Sequence, residues 1–269
     1  METELMKKYG NLKESLRSIG NAIVAFSGGV DSALVLKVAH DILGENAIGV
    51  TADSPSLPRK ELELAKLIAK EIGARHIVIR TKETENEQYL SNPKNRCYFC
   101  KSELYSKLKE ACSELGIKNM LNGTNLDDTK DYRPGLIAAD ENKIISPLKD
   151  AGFTKEDVRI LAKEIGLTVW EKPSSPCLSS RIPYGQKVTL QKLRMIELAE
   201  DFVKSSFGIK ELRVRHFGKA ARLEVNENNK SVVEENLSII KNKFNEIGFE
   251  EIEITNFKSG ILNLTIKSG

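Results

Sequence analysis

No apolar run in the 269-residue chain approaches the roughly 20 residues that a bilayer-crossing helix needs, so a membrane-spanning protein is not expected. The first ten residues, Met1 to Gly10, are polar and hold no apolar segment of the secretory type. A cytoplasmic protein is therefore expected. There the four cysteines should be reduced thiols, metal ligands or catalysts rather than disulfides. A large charge imbalance is also missing. With 41 basic and 38 acidic residues the net charge is +3, and aromatics make up only 6%, which offers no clear nucleic-acid surface. Neither internal repeats nor low-complexity segments occur. What remains is 40% hydrophobic and 29% charged, the balance of an ordinary globular protein. The length suits one large domain or two modest ones, with a core that needs no disulfide staples.

Strand and helix patterns alternate through the first ~165 residues. Apolar runs at 21–26, 47–51, 74–79 and 119–122 read as buried strands, with a short fifth at 144–146. Amphipathic stretches at 33–43, 58–72, 100–115 and 154–165 read as helices, the last with Thr154 as N-cap. This alternation predicts an α/β domain, a doubly wound parallel sheet with its ligand at the carboxyl ends of the strands. Pro173, Pro176 and Pro183 mark a junction. Beyond it, helices at 189–207 and 231–247 and strands at 211–215, 220–225, 250–255 and 261–266 predict a smaller α+β domain of antiparallel hairpins. The expected partition is 1–172, a connecting segment 173–188, and 189–269.

The first strand runs into Ser27-Gly28-Gly29-Val30-Asp31-Ser32, where a helix begins. A helix N-terminus presents unpaired N–H groups and partial positive charge to an anion. Two glycines admit close backbone approach, and Ser27 and Ser32 add hydroxyls. A plain strand–turn–helix corner is the alternative. No Gly-Lys-Ser/Thr follows, so this is not a Walker A loop. Asp31 can position magnesium or cap the helix. Thr51-Ala52-Asp53-Ser54 and Asn122-Gly123-Thr124-Asn125-Leu126-Asp127-Asp128 end two further strands. Asp127 and Asp128 suit Mg²⁺, or equally a turn and helix cap.

Cys97 and Cys100 form a CxxC at a helix start, and Cys177 lies in Ser175-Pro176-Cys177-Leu178-Ser179-Ser180-Arg181-Ile182-Pro183-Tyr184-Gly185. A zinc site would need a fourth ligand from His40, His76 or His216, and a redox pair is a further alternative. Cys112 sits in an amphipathic helix as a buried thiol. Arg213 and Arg215 alternate with Leu212 and Val214, so their guanidinium groups share one strand face, suited to phosphate or simply solvated. Glu200 and Glu224 could supply metal or substrate contacts, with ordinary surface acids as the plainer reading.

The hexapeptide is similar to the PP-loop signature. Together with Arg96–Lys101, Asn122–Gly135 (including Asp131-Tyr132-Arg133-Pro134-Gly135) and Ser175–Gly185, the chain resembles the LarE family over nearly its whole length. The resemblance implies an ATP-dependent sulfurtransferase that adenylates the carboxylates of pyridinium-3,5-biscarboxylic acid mononucleotide and converts them to thiocarboxylates. It implies ATP contacts at Ala25, Ser27, Gly28, Gly29, Asp31, Ser32, Asp53, Gly123, Thr124, Asn125 and Arg133, with Lys101 as a nearby cation. Asp31, Ser32 and Cys177 would be catalytic, and Ser180, Arg181, Arg213 and Arg215 would meet the substrate's phosphate. One branch of the family sacrifices the sulfur of a single cysteine matching Cys177 and lacks the CxxC. In the other branch three cysteines, matched here by Cys97, Cys100 and Cys177, hold a [4Fe–4S] cluster, and this chain resembles that branch. The partners implied are the nucleotide substrate and sulfide or another sulfur donor, with no nucleic acid or membrane. A homo-oligomer is expected. A tRNA thiolase, an amidotransferase or NAD synthetase (which would use ammonia and leave the CxxC and Cys177 unexplained), and a non-catalytic nucleotide sensor are the competing readings.

Overall fold

A computed structural model describes residues 2–130 and 133–257. The chain forms two compact units. Residues up to Glu83 and Asn95–Ser175 make the first; Thr84–Lys94 and the residues from Pro176 onward make the second. This differs from the expected partition in two ways. Residues 84–94 leave the first domain for the second, and most of the connecting segment is an integral part of the second unit.

The first unit opens with a helix not expected from the sequence, α1 (Glu2–Ile19). Leu5, Leu12 and Leu16 lie on one helical face and are buried in the core. Next come β1 (Ala22–Ala25), α2 (Val30–Leu43), β2 (Ala47–Asp53), α3 (Arg59–Ile72) and β3 (Arg75–Arg80). After an excursion into the second unit that includes α4 (Glu87–Leu90), the chain returns as α5 (Arg96–Leu115), β4 (Met120–Leu121), α6 (Pro134–Glu141), α7 (Pro147–Asp150) and α8 (Lys155–Glu164). The four strands form one parallel sheet in the order β3-β2-β1-β4.

Both faces of the sheet are covered, as a parallel sheet requires. On β1, Ala22 and Val24 join a cluster with Leu34, Ala65 and Leu148, while Ile23 joins the opposite cluster with Tyr105 and Leu108. The expected fifth strand at 144–146 is reduced to a single parallel bridge between Leu121 and Ile145. Pro147 starts α7 at once and leaves no length for a ladder. The Thr154 cap on α8 is present as a full capping box with Asp157.

The second unit contains α4, α9 (Leu190–Phe207), β5 (Leu212–Phe217), β6 (Ala220–Val225), α10 (Lys230–Glu235), α11 (Leu237–Ile247) and β7 (Glu251–Asn256). Its sheet order is β5-β6-β7. β5 and β6 form the expected antiparallel hairpin around Gly218, whose φ of 69° explains the glycine. β7 corrects the expectation of antiparallel hairpins, because it runs parallel to β6. The intervening α10 and α11 supply the crossover that a parallel pair needs. The strand expected at 261–266 lies outside the described residues. Ala199, Val203, Val214, Leu223, Val233 and Phe244 form this unit's core.

His216 of β5 is buried, with its ring centroid 5.3 Å from that of Phe249. Burial, and then the charge of Lys192, hold its pKa below the usual 6.5. His76 is depressed as well, by burial and then by Lys66. The unfolded chain therefore binds more protons than the folded one just below pH 6.5. Stability is full above the unfolded pKa and falls as pH drops below it, at up to about 1.4 kcal/mol per pH unit for each proton. Denaturant unfolding between pH 7.5 and 5 should show this slope, and His216→Leu should flatten it. An unchanged slope in the variant would count against a buried neutral imidazole.

Candidate functional site

The first site lies at the carboxyl end of β1, flanked by β2 and β4. The chain leaves β1 through Phe26, whose amide donates to Val50 O at 2.9 Å and whose carbonyl accepts Thr51 Oγ1 at 2.7 Å. Gly28 takes φ 68°, and a Cβ there would lie 3.0 Å from Ala65 Cα on α3, so both conformation and space require glycine. Gly29 then caps α2 with no side-chain hydrogen bond to its amides. Ser32 Oγ donates to Gly29 O at 3.0 Å and accepts from Ser27 N at 3.2 Å, with Ser27 Oγ 3.1 Å away. The loop is thus closed on itself by its own hydrogen bonds.

A cavity of about 210 Å³ opens over this loop. Ser27, Gly29, Asp31, Glu61, Lys155 and Lys172 contribute to its wall, together with Pro173–Ser175. Lys155 Nζ pairs with Asp31. Lys172 Nζ donates to Gly28 O at 3.1 Å and to Glu61 Oε2 at 2.5 Å. The two lysines supply the cationic charge of the wall. Neither was expected from the sequence; Lys101 was named instead and is not part of this wall. Its ammonium lies 5.9 Å from the Tyr105 ring centroid.

The β4 turn packs directly on the loop. Gly123 stands where a Cβ would meet Ser32 N at 2.7 Å and Asp31 C at 2.9 Å. Asn125 Nδ2 donates to Asp31 Oδ1 at 2.9 Å, and its Oδ1 accepts from Asp127 N and Asp128 N. Thr124 N donates to Asn122 Oδ1. Asp128 pairs with Arg133 at 2.6 Å. Asp127 accepts from Lys130 and from the Lys155 amide, which together hold its carboxyl below the usual range. Asp31, Asn125, Asp127 and Lys155 thus form one connected polar group. Asp53, at the end of β2, pairs with Arg59. Asp131 and Tyr132 lie outside the described residues.

Cys97 and Cys100 lie three residues apart on one face at the start of α5; Cys97 is exposed and Cys100 half-buried. Cys112, further along α5, is buried, and burial raises its thiol pKa. Cys177, half-buried, belongs to the second unit. Among the described residues no group of three or more His, Cys, Asp or Glu is gathered to hold a metal ion.

In the second unit, Arg181 Nε and Nη2 both donate to Glu200, which also accepts from Lys204 and from Val214 N at 3.1 Å. Arg215 Nε donates to Glu224 at 2.5 Å and its Nη1 to Ser180 O at 3.3 Å. Glu200 and Glu224 are 3% and 1% exposed, which corrects their reading as surface acids. Burial alone would raise the Glu200 pKa, but Arg181 and its other donors bring it below the usual carboxylate value. Ser180 Oγ donates to Cys177 O at 2.7 Å. Arg213 lies half-buried over the Phe257 ring, and burial followed by its guanidinium neighbours Arg181 and Arg215 depresses its pKa. The four expected phosphate ligands therefore sit within one connected region, two of them already engaged by carboxylates.

A family profile for NAD synthase matches residues 6–113. The chain is 41% identical over 263 residues to an uncharacterised protein of Synechocystis sp., covering 96% of this chain and 98% of that one. It is 34% identical over 265 residues to the pyridinium-3,5-bisthiocarboxylic acid mononucleotide synthase of Lactiplantibacillus plantarum, covering 97% and 96%. An uncharacterised protein of Methanocaldococcus jannaschii is 28% identical over 249 residues, covering 93% and 94%.

Proposed function

As the chain belongs to the LarE family of ATP-dependent sulfurtransferases, we propose that it adenylates the carboxylates of pyridinium-3,5-biscarboxylic acid mononucleotide and converts them to thiocarboxylates with sulfur handled by Cys97, Cys100 and Cys177. The observation that carries the first half is the lysine-walled cavity over Ser27–Ser32. In this reading a substrate carboxylate oxygen attacks the α-phosphorus of ATP, and the bond to pyrophosphate breaks. The loop amides and the start of α2 receive the pyrophosphate, while Lys155 and Lys172 turn from Asp31 and Glu61 to offset its charge. Mg²⁺ would be held by carboxylates of the Asp31–Asn125–Asp127–Asp128 group, whose oxygens suit a hard cation, and would supply positive charge to offset that developing on the phosphates. Ala25, Asp53, Gly123, Thr124 and Arg133 complete the nucleotide site. Sulfur then attacks the acyl carbonyl and AMP leaves. Ser180, Arg181, Arg213 and Arg215 hold the substrate's phosphate.

Three thiols are the donor type and number for a [4Fe–4S] cluster with one iron lacking a protein ligand, and Cys97, Cys100 and Cys177 would hold it. Such a group supplies, when bound, sulfur at that open iron. The reading includes a sulfide donor, a homo-oligomer, a cytoplasmic place of work, and neither nucleic acid nor membrane as partner. No helix among the described residues is long and apolar enough to cross a membrane.

Substrate-dependent ATP–pyrophosphate exchange and thiocarboxylate formation separate the two halves. Cys97→Ser, Cys100→Ser and Cys177→Ser should each keep exchange and lose sulfur transfer by more than tenfold, and wild-type polypeptide mass should stay constant over several turnovers with sulfide. A chain lighter by about 34 Da in proportion to product, the loss of H₂S from cysteine, would replace the three-thiol reading with a sacrificial Cys177. Absence of exchange in the wild type would sink the adenylation reading itself. For the cavity, Lys172→Ala and Lys155→Ala should each slow exchange about 10- to 100-fold. That corresponds to a lost charge-assisted contact of ~1.5–3 kcal/mol. Exchange within threefold of wild type in both would remove these lysines from the pyrophosphate site.

A further inference from the structure

Segment Thr84–Lys94 belongs to the second unit and packs on the loop that carries Cys177. We propose that Tyr89 is a positioning residue for the Cys177 sulfur, acting through Ser179, and that Asn92 holds the loop bearing both. The inference rests on Cys177 taking part in sulfur transfer.

The hydrogen-bond chain fixes the roles. Ser179 Oγ donates to Cys177 Sγ at 3.5 Å, a normal separation for sulfur. A serine hydroxyl has one hydrogen, so in its 2.8 Å contact with Tyr89 the phenol is the donor. Tyr89 and Ser179 are each 1% exposed. At so buried a position phenylalanine would fill the same space without a polar atom to satisfy, and the Tyr89 hydroxyl is accounted for by this contact. Two bonds in series polarise each other and keep the Ser179 hydrogen on the sulfur.

Asn92 fixes the frame. It is fully buried and has φ 56°, an arrangement that persists only where its surroundings enforce it. Its Nδ2 donates to the carbonyls of Pro183 at 2.7 Å, Gln186 at 3.0 Å and Ile182 at 3.2 Å. Its own carbonyl accepts from Gly185 N at 2.9 Å, and Leu90 O accepts from Val188 N at 2.8 Å. One side chain thus gathers three carbonyls of the loop just after Cys177. The loop's other end is tied by Arg181, whose Nη1 donates to Pro176 O at 2.6 Å. The sulfur is therefore presented by a preorganised loop, and a single phenolic oxygen completes its setting.

The test compares Tyr89→Phe and Ser179→Ala with Cys177→Ser and wild type. Exchange, thiocarboxylate formation and thermal unfolding are measured, with iodoacetamide labelling of Cys177 against Cys97 by peptide mass. Tyr89→Phe is expected to lower sulfur transfer about three- to tenfold, the worth of one hydrogen bond, with exchange unchanged and unfolding lowered by no more than that same bond contributes. Labelling of Cys177 relative to Cys97 should shift severalfold, because without the phenol the Ser179 hydroxyl is no longer held on the sulfur. Ser179→Ala should do the same, more strongly. Sulfur transfer within twofold of wild type, an unchanged labelling ratio, or a parallel fall in exchange would overturn the proposal. Full sulfur transfer in Cys177→Ser would instead overturn the functional reading on which it rests.

Discussion

Gly123→Ala should cut adenylation sharply, with a loss of up to about 100-fold in ATP–pyrophosphate exchange, although the change adds one methyl group. That methyl would lie 2.7 Å from Ser32 N and 2.9 Å from Asp31 C. Those atoms are backbone of the phosphate loop and the first turn of α2, and no side-chain rotation relieves the clash. Either the loop or the β4 turn must shift by several tenths of an ångström. Overpacking of this kind costs about 1–3 kcal/mol of stability. Its kinetic effect is larger, because a displacement near 1 Å in a positioning element costs about 100-fold. The Asn125 contact to Asp31 would be disturbed as well. Exchange at saturating ATP, measured beside a melting curve, checks the result. A folded variant with exchange within threefold of wild type would show that the loop tolerates a spacing the geometry forbids.

The largest stability effect is expected at Glu200. Glu200→Ala strands the buried Arg181 guanidinium and the Val214 amide and takes a partner from Lys204. Removing one member of a buried ion pair costs about 3–5 kcal/mol, mostly the penalty of the charge left behind. The loss should appear as a lower denaturant midpoint in a probe confined to the second unit. Glu200→Gln keeps the shape and an acceptor oxygen and should fall between. A loss below about 1 kcal/mol in the alanine variant would mean that water reaches Arg181. Since the Glu200 carboxyl titrates below its usual value, its contribution is present above the unfolded-state pKa near 4.3 and fades as pH falls through the lower folded value.

What was legible in the sequence was local. Gly28, Gly29, Asp31 and Ser32 announce the phosphate loop because its geometry is made within six consecutive residues. The capping box at Thr154 was legible for the same reason. Lys155 and Lys172 carry no such signal: a single lysine has no spacing, and these two reach the loop only because α8 and the segment after it return to the sheet. Glu200 and Glu224 looked like surface acids since their partners, Arg181 and Arg215, lie 19 and 9 residues away. For α1 the signal was there, in Leu5, Tyr9, Leu12, Leu16 and Ile19 at alternating spacings of four and three. Charged residues and Gly10 obscured it. The direction of β7 was undetermined locally, because two helices separate it from β6.

The detour of Thr84–Lys94 also bears on how the protein is made. The strip that grips the Cys177 loop leaves the ribosome before the first unit is complete, and its partners begin only at Pro176. At synthesis rates of about 5–20 residues per second, Tyr89 and Asn92 wait roughly 5–19 seconds for Ser179 and the loop carbonyls to emerge. The second unit is therefore a late, long-range closure rather than a tail that folds independently. A fragment beginning at Pro176 would lack α4 and, with it, the hydrogen-bonding partners of its own cysteine loop. Cutting the gene at the obvious proline-rich boundary should yield an aggregating product, and supplying residues 84–94 in cis by circular permutation should restore a folded one.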